Sequence, residues 1–211
     1  MFTEDKVIKC QRIIRRWLSL KHKNTGLTIE KLNQLSSHIN FVPPKTQLQH
    51  YILNNADPEI IKYVELSGKT FGEKFMEDLT QEWFKLDKRS DSSHDHKKCG
   101  KTIEQKSARY HANGTDWKWQ HIEMNHQWDI LLLCGLDYQM IRYFVATREV
   151  VHNLIENGIV TGQGKKENGI ANAQQGYWFS RSDFKRKNKK FTDYFTEILS
   201  ERDLIQFLEK T

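Results

Sequence analysis

The stretch DILLLCG, residues 129–135, constrains the fold more than any other. Ile130 to Cys134 are apolar without interruption, bounded by Asp129 and Gly135. A short run of this kind suits a strand buried on both faces, and it falls far short of the roughly 20 apolar residues that a membrane span needs. MIRYFVAT (140–147) is β-branched and aromatic, a second strand. REVVHNLIENG (148–158) then reads as a helix, with Gly158 as its stop. Strands of this type need helices or a second sheet against their faces. The order predicts a mixed α/β sandwich around a small sheet.

The flanking segments extend this plan. Phe71, Phe75, Leu79, Trp83 and Leu86 recur at i, i+4, i+8, i+12 and i+15, one face of a helix. GYWFS (176–180) is a short aromatic strand, and a final helix is expected over about 191–209, with Phe191, Phe195, Ile198 and Leu199 inward. Residues 161–175, rich in Gly, Asn and Gln, read as a long loop. Upstream, a basic helix is expected over 4–22 and a second from Thr28 to about His38. VPP (42–44) breaks the chain, and short helices follow around 46–55 and 58–66. The expected division is a helical N-terminal region, 1–66, and a core, 67–211, that ends in a helix.

The net charge of +6 favours a polyanionic partner. Cys10, Cys99 and Cys134 are far apart and odd in number, which argues against a disulfide framework and for a reducing compartment. No apolar run is long enough for the membrane, and the N-terminus has no small-residue cleavage site. The expectation is a soluble intracellular protein, cytoplasmic or nuclear.

The chemistry points to KTIEQKSARY (101–110), which sets Glu104 and Lys106 on one side of a pleat. An acid-x-Lys triplet alone says little, since the chain holds five, at Glu4, Asp95, Glu104, Asp116 and Asp183. The turn before this one distinguishes it. If Cys99–Gly100 is a two-residue hairpin loop, 98 faces 101, 97 faces 102, 96 faces 103, and Asp95 faces Glu104. The two Cβ atoms would then lie about 4.5–5.5 Å apart, and the like charges would repel unless a divalent cation sat between them. A bulge would send Asp95 elsewhere, and Asp87 or Asp91 would then supply the acid. Two carboxylates and a lysine suit metal-assisted phosphodiester cleavage, with Mg²⁺ taking oxygen ligands and retaining waters.

IEQKSARY, WQHIE and DILLLCGLDY, after a helix containing Glu73 and Glu77, resemble the PD-(D/E)xK nuclease superfamily, the fold of many type II restriction enzymes. The likeness covers roughly residues 68–180, and is to restriction-endonuclease proteins of bacteria and large DNA viruses. It implies a restriction-endonuclease-like mixed sheet core flanked by helices, with a helical N-terminal extension. It implies Mg²⁺, or Mn²⁺ in its place, held by Asp95, Glu104 and the Gln105 carbonyl. Lys106 would assist the water, and Glu73 would assist as a helix acid. His94 precedes Asp95 where the family has Pro, so Asp87, Asp91 and Asp95 all stand as first-acid candidates. The implied substrate is double-stranded DNA, cut by a homodimer. Arg109, Tyr110, Lys118, Gln120, His121, Arg181, Lys185, Arg186 and Lys187 are the expected DNA contacts.

Other readings compete. HDHKKC (94–99) offers His94, His96 and Cys99 to zinc, but no second ligand pair follows at suitable spacing. His111, Asn113, His121, Asn125 and His126 allow a His-Asn-His nuclease, which needs a ββα order. Trp117 and Trp119 serve either a core or a groove. CQRIIRRWLSLK (10–21) partly resembles a calmodulin-binding IQ motif, although packing and phosphate contact are expected rather than calmodulin. RSDFKRKNKK (181–190) carries six bases against one acid, for solvent or for phosphate. GKKENGIANAQQG (164–176) is either a recognition loop or a plain one. The alternative to an enzyme is a non-catalytic DNA-binding module on a nuclease fold.

Overall fold

A computed structural model describes residues 46–88, 92–111, 116–164, 166–167, 170–171 and 176–211. The helices expected at 4–22 and 28–38, the break at 42–44, the IQ-like motif, Asp91, Asn113 and most of the 164–176 loop lie outside them. The chain divides into two compact units.

In the first unit, the described residues are 46–65, 110–111 and Asp137–Met140. It holds two short helices, α1 (Gln47–Leu53) and α2 (Pro58–Val64). Each starts where a side-chain oxygen meets an orphan backbone N–H. Thr46 Oγ1 accepts from Gln49 N–H at 3.2 Å, and Asp57 Oδ1 from Glu59 N–H at 2.8 Å. Pro58 fills the first turn, where it loses no hydrogen bond. The core is aromatic. Tyr51 stacks on Tyr110 at 5.8 Å, and its hydroxyl accepts the Tyr110 N–H at 2.9 Å. Burial holds the Tyr51 hydroxyl far above its usual pKa.

The second unit is mixed α/β, a mixed sheet flanked by helices. Its strands are β1 (Asp87–Lys88), β2 (His96–Lys98), β3 (Lys101–Arg109), β4 (Lys118–Ile122), β5 (Ile130–Leu136) and β6 (Ile141–Thr147). They continue with β7 (Thr161–Gly162), β8 (Lys166–Glu167), β9 (Ile170–Ala171), β10 (Tyr177–Ser180) and β11 (Thr196–Ile198). The main sheet has six strands in the order β1-β2-β3-β5-β6-β11, with β3 and β5 parallel and the other neighbours antiparallel. Every residue of β5 is buried, as a central strand covered on both faces requires. A three-stranded sheet, β4-β10-β7, and a two-stranded one, β8-β9, complete it.

A layer of aromatics joins the two larger sheets. Trp117 and Trp119 are fully buried, which decides for the core reading. Trp119 stacks on Phe191 at 5.8 Å, and Phe191 on Phe195 at 4.7 Å. Their indole N–H groups reach β5, Trp117 to the Leu136 carbonyl at 2.9 Å and Trp119 to the Cys134 carbonyl at 3.0 Å. Gly135 leaves the space that Trp117 occupies, since a Cβ there would lie 2.5 Å from the indole.

Three expectations are corrected. The helix foreseen over 191–209 is a 3-10 turn (Phe191–Asp193), strand β11 and a short helix from Glu201 to Leu208. β-branched Thr196 and Ile198 pair with β6 at the sheet edge, and Ser200 caps a new helix start. The 161–175 segment is not plain loop, since it contains β7, β8 and β9. The helix before β1 is real but its phase differs. Residues Thr70–Met76 form a π-helical stretch that runs into α3 (Glu77–Phe84). The buried side chains are Phe71, Met76, Thr80 and Phe84, spaced five, four and four, whereas Trp83 is 59% exposed. The wider π turn inserts one residue and rotates everything after it. Helix α4 (Arg148–Glu156) follows β6 as expected and stops at Gly158, φ +64.

Candidate active site

The β2–β3 hairpin builds the site. Its turn residues both have positive φ, Cys99 at 50° and Gly100 at 77°, the type I′ pattern that matches strand twist. The ladder pairs Lys98 with Lys101, Lys97 with Thr102, and His96 with Ile103, the register expected from the turn. At Asp95 the chain leaves that ladder. The Asp95 N–H donates to the Ile103 carbonyl at 3.0 Å, one position out of step. Its Oδ2 accepts the Gln105 N–H at 2.7 Å. The Asp95 carboxylate therefore sits beside the Gln105 backbone rather than squarely opposite Glu104.

Glu104 and Lys106 share one face of β3, with Lys106 Nζ 2.5 Å from Glu104 Oε1. The Glu104 side chain is 4% exposed and that of Lys106 20%. β5 backs the pair, with Leu131 beside Glu104 and Leu133 beside Lys106. Burial pushes the Glu104 carboxyl above its ordinary pKa; the Lys106 charge pulls it back, the Asp95 charge pushes it up, and the Lys106 hydrogen bond and the His126 charge pull it down. Asp95 and Glu104 thus feel each other as like charges. On the opposite face, Gln105 Oε1 meets His96 Nε2 at 2.8 Å.

The donor set is hard oxygen, from two carboxylates and a strand carbonyl, which suits Mg²⁺ or Mn²⁺ with water filling the remaining positions. Among the described residues, no three His, Cys, Asp or Glu side chains gather as one ligand group. The zinc reading does not assemble: His94 and His96 are buried, Cys99 is exposed at the turn, and His96 is engaged with Gln105.

The remaining candidates separate. Glu73 is exposed and lies 3.6 Å from Lys69. Glu77, one turn on, is the helix acid whose charge reaches the sheet. With Asp95 it pushes up the Cys134 thiol, which burial above all raises to about 12. Tyr110 is 4% exposed in the first unit, so packing accounts for it rather than DNA contact. Arg109 donates to the Leu66 carbonyl at 2.8 Å and lies 4.6 Å over the Phe71 ring, which commits its guanidinium to packing. Lys118 sits 3.7 Å over Trp178, and Arg181 4.3 Å over Trp117. Gln120 is half-buried, while His121, Lys185, Arg186 and Lys187 are exposed. The His-Asn-His arrangement lacks its order, because β4 leads through a loop into strand β5 and not into a helix.

Arg148 and Asp129 escaped the sequence reading. Arg148 donates to the carbonyls of Met124, His126 and Trp128, and lies 4.9 Å over the Trp128 ring. Asp129 Oδ2 accepts the Thr102 N–H at 2.8 Å and its hydroxyl at 3.0 Å. Asp bounding the β5 run was the only available signal.

No protein-family model, no curated protein and no solved structure matches the chain. No helix among the described residues is long and apolar enough to cross a membrane.

Proposed function

We propose that the chain is a Mg²⁺-dependent DNA endonuclease of restriction-enzyme type, on a PD-(D/E)xK nuclease-like core. One observation carries this reading. A carboxylate, Glu104, is buried, which raises its pKa, and is held against Lys106, with the charge of a second carboxylate, Asp95, adding to the rise. Such an arrangement costs stability, and a bound cation would offset that cost by balancing the charge of the two carboxylates.

Asp95, Glu104 and the Gln105 carbonyl would hold the ion, which supplies an acidified water and charge stabilisation at the phosphate. Lys106 orients the attacking water and offsets charge growing on the phosphoryl oxygens. Glu104 positions the Lys106 ammonium through their 2.5 Å contact. β5 behind them keeps the pair from shifting. The exposed Lys185, Arg186 and Lys187, together with Lys118, Gln120, His121 and Arg181, supply contacts to double-stranded DNA. The protein acts as a homodimer in a reducing compartment, cytoplasm or nucleus, consistent with free Cys99 and Cys134.

A second reading, a DNA-binding module without catalysis, draws on the same contact, since Lys106 already neutralises Glu104 without a metal. Plasmid cleavage separates the two. Cleavage with Mg²⁺, absent in EDTA and abolished by Lys106→Ala, supports the enzyme. DNA binding that survives Glu104→Ala, with no cleavage by the parent protein under either metal, supports the module.

A further inference from the structure

The loop from Glu123 to Asp129 is built more firmly than a connection needs to be. Trp128 Nε1 donates to the Glu123 carbonyl at 2.9 Å, closing the loop on itself. Arg148 holds the Met124, His126 and Trp128 carbonyls from one guanidinium. Asp129 ties the end of the loop to Thr102, and β5 begins with Ile130 beside Ile103. The loop therefore opens next to the residue that precedes Glu104. It carries His126, whose Nε2 lies 3.1 Å from Glu123 Oε2, with the imidazole 32% exposed. An imidazole oriented by a carboxylate, partly open to solvent, on a loop tied beside the start of β3, has the geometry to hand a proton to a neighbouring group.

We propose that His126, oriented by Glu123, is a catalytic residue: the acid that protonates the leaving oxygen of the phosphodiester. This inference rests on the nuclease reading above. The water oxygen forms a bond to phosphorus as the phosphorus–oxygen bond to the leaving sugar breaks. The electron pair of that bond stays on the sugar oxygen, which takes the proton from the His126 ring. The proton lost by the water goes to solvent, and the imidazole regains its proton from solvent.

A bridging sulfur tests it. A thiolate leaves without protonation, so a substrate with sulfur in place of the leaving oxygen has no need of the acid. The cleavage position is first mapped by sequencing the ends of cut DNA. Two duplexes are then compared with Mg²⁺ or Mn²⁺, one with oxygen and one with sulfur at that position. His126→Ala is expected to slow the oxygen duplex about 100-fold or more while changing the sulfur duplex by less than about threefold. His126→Gln, which keeps a polar group but transfers no proton, should show the same split. Glu123→Gln should give a smaller loss, confined to the oxygen duplex. Equal losses on both duplexes in His126→Gln at unchanged melting temperature would overturn the role, as would no loss on either. If the parent protein cuts neither duplex with either metal, the nuclease reading itself fails, and this inference with it.

Discussion

The hairpin at 96–103 and the helical segment at 70–84 pose the same problem, because one residue of slip decides which side of the element a charge takes. In the hairpin a local device settles it. Two positive-φ residues, Cys99 and Gly100, allow one turn type, and the ladder follows. In the helix nothing local settles it. Phe71 and Met76 are buried five residues apart because the sheet needs both, and the π turn supplies the extra residue. Glu73 is left in solvent, and Glu77 comes to act on Cys134. A register set by a turn can be read from sequence; a phase set by packing cannot.

The largest expected effect tests the two acids those devices place. Lys106→Ala and Glu104→Gln should each lower plasmid cleavage about 100-fold or more. Glu73→Gln should change it less than about twofold, as for an exposed charge pair. Comparable loss in all three would show that the helix acid takes part despite its exposure.

Gly135→Ala should destabilise the second unit by about 3 kcal/mol, since its Cβ would meet the Trp117 indole. That corresponds to a fall in melting temperature of about 6–12 °C. A smaller fall would mean that β5 does not press on the aromatic layer as described.

Glu104 also leaves a mark on pH dependence. Its folded pKa is raised, so the native state holds its proton more tightly than the unfolded chain does. Stability should therefore fall as pH rises through the ordinary carboxylate range towards the raised folded value. Glu104→Gln should flatten that fall and melt higher than the parent at neutral pH. Mg²⁺ should raise the parent's melting temperature and leave that of Glu104→Gln nearly unchanged.

The smallest effect concerns the turn. Cys99→Asn should stabilise the protein by about 0.5 kcal/mol, since Asn accepts positive φ more readily before Gly. Chemical denaturation measures it, and cleavage should be unaffected.

Much of the sheet was legible because the signals were local and redundant. Ile130 to Cys134 suited a buried strand, and Cys99–Gly100 suited a two-residue turn. β4 was not foreseen, although Trp117 and Trp119 alternate with Lys118 and Gln120 at a strand's period of two. The 191–209 segment misled because Phe191, Phe195, Ile198 and Leu199 mimic helical spacing. Pairing of Thr196 and Ile198 with β6 overrode it, and Leu199 ended 69% exposed. Within the site, Glu104 and Lys106 were visible as a pair. The step of Asp95 out of the ladder stood only as an alternative, because it depends on a side-chain acceptor for the Gln105 N–H.

The most direct test of the central claim is calorimetric titration of Mn²⁺ into the parent protein, Asp95→Asn, Glu104→Gln and Glu73→Gln. The expected result is one ion per chain for the parent and Glu73→Gln, lost in Asp95→Asn and in Glu104→Gln. Binding that persists in both Asp95→Asn and Glu104→Gln would contradict the claim that the hairpin joins these carboxylates into one metal site.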